Sequence, residues 1–228
     1  MTYVLHYAPD NASLIIRLAL EHRGVAYQTI LVDRSKTEQK SPAFRRMNPS
    51  GQIPVLETPD GPLSETGAIL LYLADRHSGL GPASDDPARA EFLKWLFFTA
   101  NTLHPTLRML FYPEQYAPQA IHAALRDGLA ANLSHHLSLI DAHIATQDPD
   151  GPPTVTDFYL VCLLRWAALY PTDMSRDWFS LGRYPALAAL CARIEALPAT
   201  GRLQMAEGLG HTPFTAPQHP TPPAGSAS

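Results

Sequence analysis

Lysine is scarce in this 228-residue chain: Lys36, Lys40 and Lys94 are the only ones, and arginine supplies the rest of the 17 basic side chains. They form no basic run, and 21 acidic residues bring the net charge to -4, so the chain has no electrostatic footprint for nucleic acid. Cysteine is scarcer still. Cys162 and Cys191 stand alone, both in apolar helix-like contexts, and make no disulfide framework, so a reducing cytoplasm is the expected compartment. No apolar stretch reaches the ~20 residues that span a bilayer, so no membrane partner is expected. The start, MTYVLHYAPDN, lacks the basic, apolar and small-residue regions of a signal peptide. No glycine loop of the phosphate-cradling kind occurs, and no Ser-His-Asp pattern has positional support. What remains is an ordinary globular composition, 46% apolar and 17% charged, long enough for one large or two modest domains.

The N-terminal third alternates element types. TYVLHY (2–7) has strand periodicity, and ASLIIRLALEHRG (12–24) has helical periodicity with a glycine stop. VAYQTILVD (25–33) reads as a second strand, parallel to the first through a right-handed crossover. Ser41-Pro42 opens a short helix through Met47. QIPVLET and GPLSE flank Thr58-Pro59-Asp60-Gly61 as a hairpin, and TGAILLYLADRH (66–77) closes the unit as a helix. Beyond SGLGPASDDP (78–87) strand signals vanish. A long helix to about Tyr112 is expected, kinked at Pro105, with further helices over 117–146, 154–170 and 185–197. The segment 211–228 is proline-rich and is expected to be disordered. The order is an α+β chain: a β-α-β-α-β-β-α domain over 1–78, a linker at 79–86, an all-helical domain over 87–205 and a tail at 206–228.

The stretch NPSGQIPVLE (48–57) sets Pro54 among strand-forming neighbours, although a central strand normally excludes proline. With the element order and NPSGQIPVLETPDGPLSETGAILLYLADRH, it makes residues 1–205 resemble the cytosolic glutathione transferases, whose N-terminal domain is thioredoxin-like. The resemblance implies that Pro54 is cis. The Ile53 backbone, beside Gln52, would then pair with the cysteinyl backbone of glutathione in strand fashion. It also implies that Thr66, at a helix start where N–H groups and the dipole attract anions, takes the γ-glutamyl carboxylate with its N–H and hydroxyl. Glu65 would take the γ-glutamyl ammonium, and Lys36 would reach the glycyl carboxylate.

At the reactive end, YAPDNASL (7–14) resembles the turn of the bacterial beta class, with Ala12 where that class carries cysteine. No mixed disulfide can form at that position. The thiolate stabiliser is then expected to be Ser13, whose hydroxyl lies near a helix start; Tyr7 is the next candidate, and Asn11 offers an amide donor. NTLHP (101–105) resembles a beta-class segment whose histidine faces the cleft, making His104 a polar wall, while Pro105 stands where that class has lysine. Thr154 and Asp157 have capping-box spacing and are assigned to stability. His135, His136 and His143 lie on a polar helix without metal-site geometry, so no metal is expected.

The implied activity is that of a glutathione transferase: a co-substrate glutathione is anchored, its thiol ionised, and a hydrophobic electrophile attacked. A glutathione-binding scaffold without turnover, and a glutathione-dependent isomerase or ether-cleaving enzyme, are the alternatives. The resemblance also implies a homodimer.

Overall fold

A computed structural model describes residues 2–227; the domain limits placed at Met1 and Ser228 fall outside the described residues. Strand β1 (Tyr3–Tyr7) leads through helix α1 (Ser13–Arg23) to β2 (Tyr27–Leu31), and the two strands pair in parallel. After α2 (Pro42–Met47), β3 (Val55–Thr58) and β4 (Gly61–Ser64) form an antiparallel hairpin, and β3 runs antiparallel to β1. The sheet order is β2-β1-β3-β4, followed by α3 (Thr66–Arg76). This is the thioredoxin-like unit that the resemblance implies.

Helix α1 is buried at every position from Ser13 to Leu20. An amphipathic surface helix would show one buried stripe. Here the sheet and α3 cover one side, and the helical domain covers the other. Gly24 ends α1 at φ 63, with its N–H returned to Glu21 and Leu20 carbonyls, the left-handed cap that glycine adopts most cheaply.

The helical domain contains α4 (Arg89–Phe98), α5 (His104–Phe111), α6 (His122–Ile144), α7 (Val155–Leu169), α8 (Pro185–Glu195) and α9 (Pro198–Glu207). The expected single helix to Tyr112 is interrupted by a π turn over Thr99–Leu103. Pro105 is the cause: it has no N–H for the Asn101 carbonyl four residues back, and its ring crowds that carbonyl. The interruption therefore precedes the proline by one turn. Helix α9 was not foreseen in the sequence. Thr200 and Gly201 blur its periodicity, and the helix stands because its buried Leu203 packs inward and its body lies against α1. The capping box at α7 is present, with the Thr154 N–H donating to Asp157 at 2.7 Å.

The expectation of a disordered tail is corrected. Residues 208–227 run as a strap across the molecule. Arg165 donates to the carbonyls of Pro213 (3.1 Å) and Gln218 (3.0 Å), Thr221 N–H donates to the Gly208 carbonyl (2.9 Å), and Arg34 donates to the Ala227 carbonyl (2.8 Å). Phe214 is 1% exposed. Low mean hydropathy misled because the strap is held through its backbone carbonyls and one buried ring. At Gly208 (φ 65) a Cβ would lie 2.1 Å from the Thr221 carbonyl oxygen, so the strap approaches where only glycine fits.

Candidate functional site

A cleft of about 1060 Å³ lies between the sheet domain and the helices. Its small-domain wall collects Asn11 and Ala12 from the turn after β1, Gln52, Ile53 and Pro54 from the approach to β3, and Glu65 and Thr66 at the start of α3. The Ile53-Pro54 bond is cis. The loop that presents it is fixed by Asn48, a residue whose role the sequence did not reveal. Buried Asn48 donates its amide to the Gln52 carbonyl at 2.7 Å, and its side-chain oxygen accepts from the Ser50 N–H (3.1 Å) and hydroxyl (2.9 Å).

Glu65 adopts φ 71, sparsely populated for a non-glycine residue and costing ~1–3 kcal/mol. That conformation starts α3 abruptly and places first-turn N–H groups, which have no partner within the helix, at the cleft. An anion at this helix start would be met by the first-turn backbone N–H groups and by Thr66, which borders the cleft.

On the opposite wall, His104 accepts its place from Tyr159: Nδ1 and the phenol oxygen are 2.7 Å apart. Burial first, and then the charge of Arg108, push the His104 pKa down to about 4, so the imidazole is neutral near pH 7. Burial holds the Tyr159 phenol protonated. A neutral imidazole facing a protonated phenol is best satisfied with the phenol donating to Nδ1, which leaves Nε2 as the donor nitrogen.

The candidates for the thiol separate cleanly. Ser13 is wholly buried; its hydroxyl donates to the Ala8 carbonyl (3.0 Å), accepts from the Ala8 N–H (3.3 Å), and forms no part of the cleft wall. The expectation that it meets a ligand thiol is therefore corrected: the first turn of α1 points that hydroxyl back into the β1 turn. Tyr7 is also outside the wall, its ring covered by the Arg17 guanidinium at 4.6 Å. Asn11 lines the cleft. Its side-chain oxygen accepts from the Ala12 N–H at 2.8 Å, which leaves the NH2 group as donor. Lys36 lies outside as well, 73% exposed and paired with Asp33 at 3.0 Å, while Arg34 is on the wall.

The turn carrying Asn11 is held by a group that sequence reasoning missed altogether. Asp10, in left-handed conformation at φ 47, is gripped by Arg165 through two bonds (2.9 and 3.0 Å) and by the Trp166 indole at 2.8 Å. Both carboxylate and guanidinium are fully buried. The Asp10 N–H donates to Glu207 at 2.8 Å. Glu207 lies 2.8 Å from Arg17, out of line with the N–H direction, so that contact is electrostatic. Burial pushes the Glu207 pKa up to about 7, against the pull of Arg17. Nothing in the sequence pairs position 10 with positions 165 and 207; only the docking of α7 and α9 against α1 brings them together.

Neither cysteine reaches the cleft: both are buried, and burial pushes Cys191 to about 12 and Cys162 higher than its ordinary value. Among the described residues no group of three or more His, Cys, Asp or Glu side chains is arranged to hold a metal, and no helix is long and apolar enough to cross a membrane.

The family model described as glutathione S-transferase, N-terminal domain, matches residues 1–75, and the C-terminal domain model of the same family matches residues 123–193. Glutathione S-transferase GST-4.5 of Xanthomonas campestris pv. campestris is 31% identical over 176 residues, 75% of this chain and 85% of that protein. The disulfide-bond oxidoreductase YfcG of Escherichia coli is 30% identical over 215 residues, 90% of this chain and 96% of that protein. A sphingomonad glutathione S-transferase solved in complex with glutathione superposes with TM-score 0.74 at 30% identity, covering 91% of this chain and 100% of that one.

Proposed function

The chain belongs to the glutathione S-transferase family, and from that premise we propose that its cleft binds glutathione and ionises the thiol for attack on a hydrophobic electrophile. The observation that carries the reading is the convergence of Gln52, Ile53, Glu65, Thr66 and Asn11 on one wall. In this reading the first-turn N–H groups of α3 hold the γ-glutamyl carboxylate and Glu65 holds the neighbouring ammonium. Ile53 pairs with the cysteinyl backbone as an added strand. Arg34, rather than Lys36, reaches the glycyl carboxylate. The Asn11 amide donates to the sulfur, favouring thiolate over thiol. The thiol proton leaves to solvent, the thiolate attacks the electrophilic carbon, a carbon–sulfur bond forms, and the leaving group departs with its electron pair. Neutral His104 is a hydrogen-bond donor at this site and carries no charge. We place the protein in the cytoplasm as a homodimer; light scattering tests the dimer directly, with twice the 25.0 kDa chain mass expected.

A second reading, disulfide exchange, is favoured by the Escherichia coli relative; with both cysteines buried, glutathione would supply all of the sulfur chemistry. Glutathione thiolate would attack a disulfide sulfur and expel one thiolate, and a second glutathione would resolve the mixed disulfide to oxidised glutathione. Calorimetric titration with glutathione tests the shared first step. Binding at or below millimolar ligand is expected, weakened by ~1–3 kcal/mol in Glu65→Gln, where a charged ligand group loses its partner. Absence of binding at millimolar glutathione would overturn both readings.

A further inference from the structure

The half of the cleft away from the small domain is a continuous train of aromatic rings with one cation at its end that no acid pairs among the described residues. Phe111 lies 6.4 Å from Tyr112 and 6.1 Å from Tyr170, and Tyr170 lies 5.4 Å from His219 on the strap, every pair edge-on. All four line the cleft. In each edge-on pair one ring turns only its edge to the other, so its own faces stay clear of that neighbour and open to a flat guest.

At the Tyr112 end stands Arg108, its guanidinium 5.4 Å from that ring. Its Nε donates to the Tyr116 hydroxyl (3.2 Å) and its Nη2 to the Gln115 side chain (2.8 Å). Both partners are neutral, so they orient the guanidinium without discharging it. The other charges of the cleft are accounted for differently. Arg126 is held by two bonds to Asp173 (3.1 and 3.2 Å), and Asp10 is held by Arg165. Glu65 and Arg34 lie toward the small domain and are assigned above to glutathione. Glu114 lines the rim but is exposed and makes no ion pair among the described residues, a position from which a charge is largely screened by water. A part-buried arginine with donors to spare and no acid partner among the described residues is matched by a planar carboxylate, which it binds in a two-pronged fashion.

We infer that the acceptor attacked by glutathione in this cleft is a flat aromatic or conjugated molecule bearing a carboxylate, its ring against Tyr112, Phe111 and Tyr170 and its anion on Arg108. The inference rests on the glutathione reading for the identity of the nucleophile, but the acceptor subsite is testable without turnover. The probes are dinitrobenzoate, which carries no leaving group, and its uncharged methyl ester, titrated calorimetrically into the full-length protein with and without S-methylglutathione. Wild type is expected to bind the acid at least tenfold more tightly than the ester. Arg108→Gln should bring that ratio close to one, and Arg108→Lys should retain part of it. An acid-to-ester ratio near one in wild type, or a ratio that Arg108→Gln leaves intact, overturns the inference. Acid selectivity without any binding of glutathione or S-methylglutathione would keep the subsite and sink the glutathione reading instead.

Discussion

The two walls of the cleft are built on different principles. On the small-domain side, Gln52, Ile53, Glu65 and Thr66 come from one continuous segment and are held by near neighbours, such as Asn48 on the Gln52 carbonyl at 2.7 Å. On the helical side, His104 is set by Tyr159, 55 residues away, and Arg165 reaches across to hold Asp10 of the β1 turn, 155 residues away. The first wall uses backbone groups and turns, which local sequence dictates. The second uses side chains whose positions depend on helix docking. Local walls tolerate change at a distance; assembled walls transmit it.

The sharpest way to break this contrast is to cut the assembled wall at its most buried ion pair. Asp10→Ala leaves Arg165 charged and without its acid at 0% exposure, and should cost ~3–5 kcal/mol in denaturant unfolding. Lys36→Ala, which removes an exposed ion pair, should leave the unfolding midpoint where it is. Equal effects from the two substitutions would erase the distinction.

The strap gives the next largest effect. Gly208→Ala places a Cβ against the Thr221 carbonyl in a left-handed conformation, and should cost ~1–3 kcal/mol while exposing residues 211–227 to limited proteolysis. A stable variant with an equally protected strap would show that the close approach is not required. Asn48→Ala sharpens the other side of the contrast. It strands the Gln52 carbonyl and the Ser50 N–H, should cost ~1–2 kcal/mol, and should weaken glutathione binding without loosening the strap.

The smallest expected effect is on pH dependence, because two buried groups oppose one another. His104, lowered to about 4, takes up its proton far more readily unfolded, so it makes stability rise with pH between about 4 and its ordinary value of 6.5. Glu207, raised to about 7 from 4.5, holds its proton better when folded, so it makes stability fall as pH rises between those values. Glu207→Gln should remove the second slope, and unfolding curves between pH 5 and 7 should then climb more steeply with pH than those of wild type. An unchanged slope would mean that Glu207 is ionised in the fold throughout.

How much of this was legible in the sequence follows the same division. The β-α-β-α-β-β-α order, the Pro54 loop and the Glu65-Thr66 helix start were readable because each depends on residues close in the chain. Ser13 was misassigned because proximity to a helix start does not say which way a hydroxyl turns; here the Ala8 backbone claims both its donor and its acceptor function. Lys36 was placed at the glycyl carboxylate because the sequence does not show the 3₁₀ turn that pairs Lys36 with Asp33 and leaves Arg34 facing the cleft. Asp10 and the strap were invisible for a plainer reason: Asp10 meets Arg165 and Glu207, 155 and 197 residues away, and the strap carbonyls are held by Arg165 and Arg34, 48 or more residues away.

The central claim is that Asn11, held on its turn by the Asp10 clasp, ionises the glutathione thiol. Its most direct test is ultraviolet titration of thiolate in the saturated glutathione complex of wild type, Asn11→Ala and Ser13→Ala. Wild type should titrate below the free thiol value of ~8.5. Asn11→Ala should titrate about one unit or more above wild type, and Ser13→Ala, provided it folds, should match wild type. A Ser13→Ala complex that loses its thiolate while Asn11→Ala keeps it, or a wild-type complex that titrates like free glutathione, would contradict the account.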